Sequence, residues 1–199
     1  MLAAIEQFRA NLERTRNLGA LYAAMGAHTT QALDLSDLLR AELASAVSSF
    51  DHFVHEAVRL GMLEIQIGSR APTPSFQLFL VTVESVREAL ANPQSTAWLD
   101  AQIRDRHAWR SFQHSDNVAE ALRLVLDVRL WDEVARRMGM PAQDVKRQLN
   151  LIVERRNKIA HEADVDPSFP GLRWPIDKPM VDGAVDFLEL LAETIHTIL

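Results

Sequence analysis

Residues 145–163 read VKRQLNLIVERRNKIAHEA. At about 100° per residue, the step of a 3.6-residue turn, Val145, Leu149, Ile152, Val153, Ile159 and Ala160 fall within an arc of about 120°. The spacing predicts a long helix with one apolar stripe. Arg156 falls near the middle of that stripe, one heptad after Leu149, while Arg155 lies at its edge and Lys158 points away. Asn157 and His161, four residues apart, share a different face.

An unpaired buried guanidinium is very costly, so Arg156 must find a carboxylate, reach water or lie at an interface. Three readings follow. Arg156 forms a structural ion pair, with Asp51 or Glu56 of an earlier helix as partner. Alternatively, the stripe leaves the protomer's own core here and meets a second copy, so that a two-fold axis gathers two sets of Arg156, Asn157 and His161. The third reading is a solvated helix end, and the central position of Arg156 counts against it. On an ideal helix Arg156 and His161 are about 140° apart, so one chain does not aim both at one small ligand. Either the helix loosens at its end or two protomers share the site.

Composition narrows the field. With 199 residues, 48% hydrophobic and 24% charged, the chain has the profile of one well-cored globular domain spanning 1–199. There are no cysteines, which excludes disulfides and thiolate metal sites and fits a reducing compartment. The opening MLAAIEQFRANLERTR lacks the basic lead and apolar core of a signal peptide, and no run approaches the roughly 18 apolar residues of a membrane span. A cytoplasmic protein is expected. The net charge of -6 argues against a general nucleic-acid coat. Locally the balance inverts: between residues 146 and 161 stand Lys146, Arg147, Arg155, Arg156 and Lys158, against Glu154 alone.

The rest of the chain reads as helices separated by Gly and Pro. Helical patterns are expected at 2–24, from an Asp34 cap to a stop at Gly61, over 76–91, from Ser95 to about Trp109, from Ser115 or Asp116 to about Asp127, over 130–138 closed by Gly139, from Pro141 to about His161, and from an Asp177 cap to Leu199. Loops are expected around Gly26 with Thr29 and Thr30, over 62–75, and over 164–179. No strand pattern stands out. The fold class is all-α, a helical bundle of about seven segments, dimerising through the helix that carries Arg156.

Arg156-Asn157-x-x-x-His161, at the end of a long helix, resembles the Arg-polar-x3-5-His signature of HEPN domains. The preceding segments SFQHSDNVAEALRLVL and LWDEVARRMG, with AVSSFDHFVHEAV earlier, resemble the RiboL-PSP-HEPN branch over residues 34–199, whereas 1–33 is an N-terminal helix and loop less clearly related. The resemblance implies a dimeric, metal-independent endoribonuclease that needs no cofactor. His161 would be the general acid or base of transphosphorylation, since a histidine of ordinary pKa, about 6.5, serves either role. Arg156 would clamp the scissile phosphate. Asn157 would support them, and Arg155 also satisfies the family's looser spacing, so both arginines stay open. The implied products are a 2′,3′-cyclic phosphate and a 5′-hydroxyl. RNA is the expected partner, with a homodimer mate and, as for many toxins and antiviral effectors of the family, an antitoxin or regulatory protein. The rival expectation is a HEPN-like module without activity that binds RNA, a nucleotide or a protein.

Other constellations carry less. Lys158, Arg147 and Trp109 are candidate RNA contacts, Trp109 because it stands among Arg106, His107 and Arg110. Trp131 reads as core, and Trp174 as a cover for the cleft or an anchor for its loop. His52 and His55, three apart, could ligate a metal only with a third ligand from elsewhere; a charged helix flank is the plainer reading, so no metal is assigned.

Overall fold

The computed structural model describes residues 1–28, 33–169 and 171–199. Over these residues the chain is all-helical, with nine helices and no strand. Thr29 and Thr30 lie outside the described residues. The helices are α1 (Leu2–Gly26), α2 (Ser36–Gln66), α3 (Pro74–Gln77), α4 (Val83–Ala91), α5 (Ala97–His107), α6 (Ser115–Leu122), α7 (Leu130–Met138), α8 (Ala142–His161) and α9 (Lys178–Ile198).

The long helix α2 is the axis of the bundle, and α1, α5, α6, α8 and α9 all pack against it. Its stripe of Leu39, Leu43, Ala46, Phe50, Phe53 and Ala57 is fully buried, as the sequence periodicity requires. One apolar cluster runs from Ala4 of α1 to Ile195 of α9. No helix of the described residues is long and apolar enough to cross a membrane.

Several boundaries differ from the sequence reading, each for a local reason. Gly61 does not stop α2, which runs five residues further; it is a packing glycine, because a Cβ there would come within 2.7 Å of Val125 Cγ1. Asp34 serves α2 from one residue outside the cap, accepting from the Ser36 N–H at 2.9 Å. The pattern at 76–91 is two helices. Thr73 accepts from the Phe76 N–H at 3.0 Å and Thr82 from the Ser85 N–H at 3.2 Å, so two hydroxyl caps start two separate segments. α6 ends at Leu122, short of Asp127. Where stops and caps were read correctly, their chemistry is visible: Gly139 closes α7 at φ 66°, and Asp177 accepts from the Met180 N–H at 2.8 Å to open α9.

Candidate functional site

Helix α8 lies across α2 with Val145, Leu149, Ile152 and Val153 buried. Ile159 is half-buried and packs against the core, whereas Ala160 is exposed. The fully buried part of the stripe therefore ends at Val153, just before Arg155 and Arg156. These neighbours, about 100° apart around α8, meet different chemistry.

Arg156 is half-buried and donates to two amide oxygens, Gln113 Oε1 and Asn157 Oδ1, the latter at 3.0 Å. No carboxylate lies within salt-bridge reach of it among the described residues. The two carboxylates considered from the sequence are engaged elsewhere: Asp51 accepts from the Phe112 N–H at 2.6 Å, and Glu56 pairs with Arg59 at 2.7 Å. Arg156 is thus oriented by neutral groups and keeps its charge uncompensated at short range.

Gln113 owes its position to the connection between α5 and α6. Its neighbour Phe112 is locked by Asp51 and stacks on His55, with ring centroids 4.3 Å apart. Two residues on, the Ser115 N–H at the start of α6 donates to Asn150 Oδ1 of α8 at 2.9 Å, and Trp131 Nε1–H donates to the Ser115 carbonyl at 3.1 Å. Trp131 is core, as expected. The segment is therefore stitched to α2, α7 and α8 at once, which lets an uncharged Gln113 side chain, only 6% exposed, hold a guanidinium. Beneath it His107 packs against Phe79, Phe112 and His55. Burial pulls the His107 pKa down to about 4, with the neighbouring charges of His55, Arg110 and Arg106 adding to the fall. His55 is lowered too, by burial first, with Asp51 opposing.

Arg155 belongs to a different assembly. Its Nη1 is 2.8 Å from Asp164 Oδ1, and its Nη2 donates to Asp164 Oδ2 at 2.9 Å and to the carbonyls of Trp174 and Pro175 at 3.1 Å. Arg40 of α2 reaches the same carboxylate, Nε to Oδ2 at 2.7 Å, and the same Trp174 carbonyl at 3.0 Å. Asp164 is fully buried between two guanidiniums. Burial lowers the Arg155 pKa from its ordinary value; Asp164 opposes the fall, and Arg40 deepens it. The chain reaches this point by two successive residues in the left-handed region, Ala163 (φ 51°) and Asp164 (φ 58°), with the Asp164 N–H closing back on the Lys158 carbonyl at 3.0 Å. The loop then folds over, with Val165 bridged to Arg173 and the Trp174 N–H on the Asp164 carbonyl at 2.9 Å.

The remaining candidates divide. His161 is exposed on the last turn of α8. Asn157 sits between it and Arg156 and is bonded to the latter. Lys158 lies over the Trp174 ring, 4.8 Å from its centroid, and Trp174 is a half-buried anchor of its loop. Arg147 pairs with Asp144 at 2.8 Å on the exposed face. Trp109 is 82% exposed and lines a cleft of about 590 Å³ together with Phe79, Arg106, His107, Arg110 and Arg123. Arg110 of that cleft pairs with Glu120 at 2.6 Å. His52, His55 and Glu56 line a separate cleft of about 310 Å³, and among the described residues no group of three or more His, Asp or Glu is placed to hold a metal. On the other flank of α8, the exposed Leu151 lines an apolar groove of about 440 Å³ with Ile152, Met180 and Val181. The sequence reading did not single out Gln113, Asp164 or Arg40. No spacing rule links Gln113 to a residue 43 positions away, or Arg40 to one 124 away.

No family model, curated protein or solved structure matches this chain.

Proposed function

We propose that the chain is a HEPN-like, metal-independent endoribonuclease acting as a homodimer, with a site built from Arg156 and Asn157 and His161. One observation supports it above the rest: Arg156 is held in place by the neutral amides of Gln113 and Asn157 rather than by a carboxylate. A guanidinium so placed is preorganised, and its charge remains available for an anion such as a scissile phosphate. His161, exposed at the helix end, is free to take the proton of a ribose 2′-hydroxyl or to protonate the leaving 5′-oxygen. The 2′-oxygen bonds to phosphorus as the bond to the 5′-oxygen breaks, leaving a 2′,3′-cyclic phosphate and a 5′-hydroxyl. Arg155, bonded to Asp164, is assigned in this reading to positioning the loop beside the site.

On an ideal helix Arg156 and His161 are about 140° apart, which favours a site shared by two chains. Lys158, Arg147 and Trp109 are then RNA contacts outside the cleavage point, and a toxin or antiviral role with a protein antagonist fits an enzyme of this kind.

The test is cleavage of labelled single-stranded RNA in excess EDTA by wild type, Arg156→Ala and His161→Ala, and by the two variants mixed. The expected result is EDTA-resistant cleavage that each substitution abolishes. If the site is shared, mixing restores about a quarter of the activity, because half the dimers are hybrids and each carries one intact site. Equal cleavage by all three proteins overturns the assignment. Phosphate-dependent RNA binding without cleavage, lost in Arg156→Ala, replaces the enzyme with a binding module.

A further inference from the structure

The cleft beside Trp109 is built where three helices end. Leu78, Ala108 and Arg123 close α3, α5 and α6, and residues around those ends line one cavity of about 590 Å³. That volume lies within the range of about 300–1,000 Å³ that small ligands occupy. The last turn of α5 brings Arg106 and His107. The turn after it, closed by the Arg110 N–H on the His107 carbonyl at 3.0 Å, carries Trp109. From α6 come Glu120 and, at its end, Arg123.

Three kinds of group meet in this cleft. The first is aromatic: Trp109 is 82% exposed, and Phe79 is half-buried with the Arg106 guanidinium 5.5 Å from its ring centre. The second is unpaired positive charge. Among the described residues Arg14, Arg87, Arg106, Arg123 and Arg156 are the arginines that form no ion pair, and Arg106 and Arg123 both line this cleft. Arg110 is held by Glu120 at 2.6 Å, so Arg106 and Arg123 are balanced only by Asp105. The lining therefore carries one positive charge in excess, in a chain of net charge -6. The third kind is neutral and polar. His107, which also lines the cleft at His52 and His55, is 5% exposed, and its Nδ1 is buried without a hydrogen-bond partner. Gln102 uses its Oε1 to accept from the Thr82 N–H at 3.1 Å, and its amide N–H donors are unbonded within the described chain.

Helix ends attract cations, which accounts for Arg106 at the end of α5 but not for the exposed indole next to it. A purely apolar ligand would strip water from the two guanidiniums and leave them unpaired. A bare anion would leave the indole unused. A planar ring that carries a phosphate answers all three groups. The ring stacks on Trp109, the phosphate accepts from the arginine forks, and the polar edge of the ring meets Gln102, Asp105 or His107.

We propose that this cleft binds one nucleotide, with its base on Trp109 and its phosphate on Arg106 and Arg123. The nucleotide is a free nucleoside monophosphate or a single unit of an RNA strand, since both present the same chemistry. The inference does not rest on cleavage at Arg156 and His161, and it goes beyond a surface RNA contact by giving Trp109 a bounded site.

The other three tryptophans are buried or half-buried, so tryptophan fluorescence reports chiefly on Trp109. The test titrates the full chain, as the His161→Ala variant so that RNA stays intact, with AMP, GMP, CMP, UMP, their nucleosides, inorganic phosphate and a short single-stranded oligoribonucleotide. Calorimetry gives the affinities. Saturable binding with fluorescence quenching is expected for at least one monophosphate, and weaker binding for its nucleoside and for phosphate alone. Trp109→Ala should weaken binding about 5- to 150-fold, the range for losing one base stack. The double variant Arg106→Ala, Arg123→Ala should bind nucleotide no better than nucleoside. All three side chains are exposed, so helical circular dichroism should be unchanged. An oligoribonucleotide that binds more tightly than any monophosphate identifies the RNA strand as the source, and the reverse order identifies the free nucleotide. The proposal is overturned if neither binds saturably, if Trp109→Ala binds like its parent, or if the double variant still prefers nucleotide to nucleoside. RNA cleavage by the chain with His161 intact is read separately and does not decide this question.

Discussion

Arg155 and Arg156 are consecutive in the chain, yet they sit in two regions built on opposite principles. Around Arg155, charge answers charge: Asp164 is buried between Arg155 and Arg40, two carbonyls share the load, and a left-handed turn is the cost of bringing the carboxylate inside. Around Arg156, neutral amides do the holding, and no anion of the described chain neutralises it. The difference shows how two neighbouring cations can be held by opposite means. A guanidinium with a buried carboxylate has spent its charge on the fold. A guanidinium fixed by amides has its direction set and its charge unspent.

The comparison breaks most visibly at Asp164. Asp164→Ala leaves Arg40 and Arg155 facing each other without a carboxylate, and removal of one partner from a buried pair costs about 3–5 kcal/mol. Denaturant unfolding should register that loss, and a change below about 1 kcal/mol would mean that the knot is held by its carbonyls alone. Next in size is a swap of chemistry between the regions. Gln113→Glu gives Arg156 the kind of partner Arg155 already has; under the proposed function, RNA cleavage should fall about 100- to 1,000-fold while the fold is kept, in the range of losing one oriented donor. Undiminished cleavage in that variant would dissociate Arg156 from phosphate binding.

Smaller effects sharpen the contrast. Ala163→Gly removes the crowding of a Cβ at φ 51° and should raise stability by about 1 kcal/mol, measurable in the same unfolding experiment. Acid should act on the Gln113 side through His107. His107 sits beneath the Gln113 segment with its pKa lowered to about 4 from an ordinary value of about 6.5, so the unfolded chain binds its proton first. Its contribution to stability is fully present above about pH 6.5 and is lost as pH falls toward 4. His107→Phe, which keeps a ring between Phe79 and Phe112, should flatten the decline of unfolding free energy over that window. An unchanged slope would assign the acid sensitivity to His55 or to other groups.

How much of this was legible in advance depends on the range of the interaction. The stripe of α8, the left-handed stop at Gly139 and the Asp177 cap were readable because each depends on residues within one or two turns. Gly61 was misread because its role is set by Val125, on a segment that the local pattern does not see. The division of 76–91 into α3 and α4 was missed because Thr73 and Thr82 cap from positions that apolar periodicity does not weigh. On α8 itself, the spacing brought Arg156 to the centre of the stripe and left Arg155 as the second choice.

The sequence by itself determined that the chain is all-helical, where most helices lie, and that an arginine would emerge from the core stripe of α8, because helix periodicity and capping are short-range. Only the tertiary structure decided which arginine is committed to the fold. Asp164 and Gln113 reach α8 through separate loops, one by a left-handed turn and the other by a segment stitched to α2, α7 and α8. Nothing in the spacing along α8 encodes whether a carboxylate or an amide arrives at its edge.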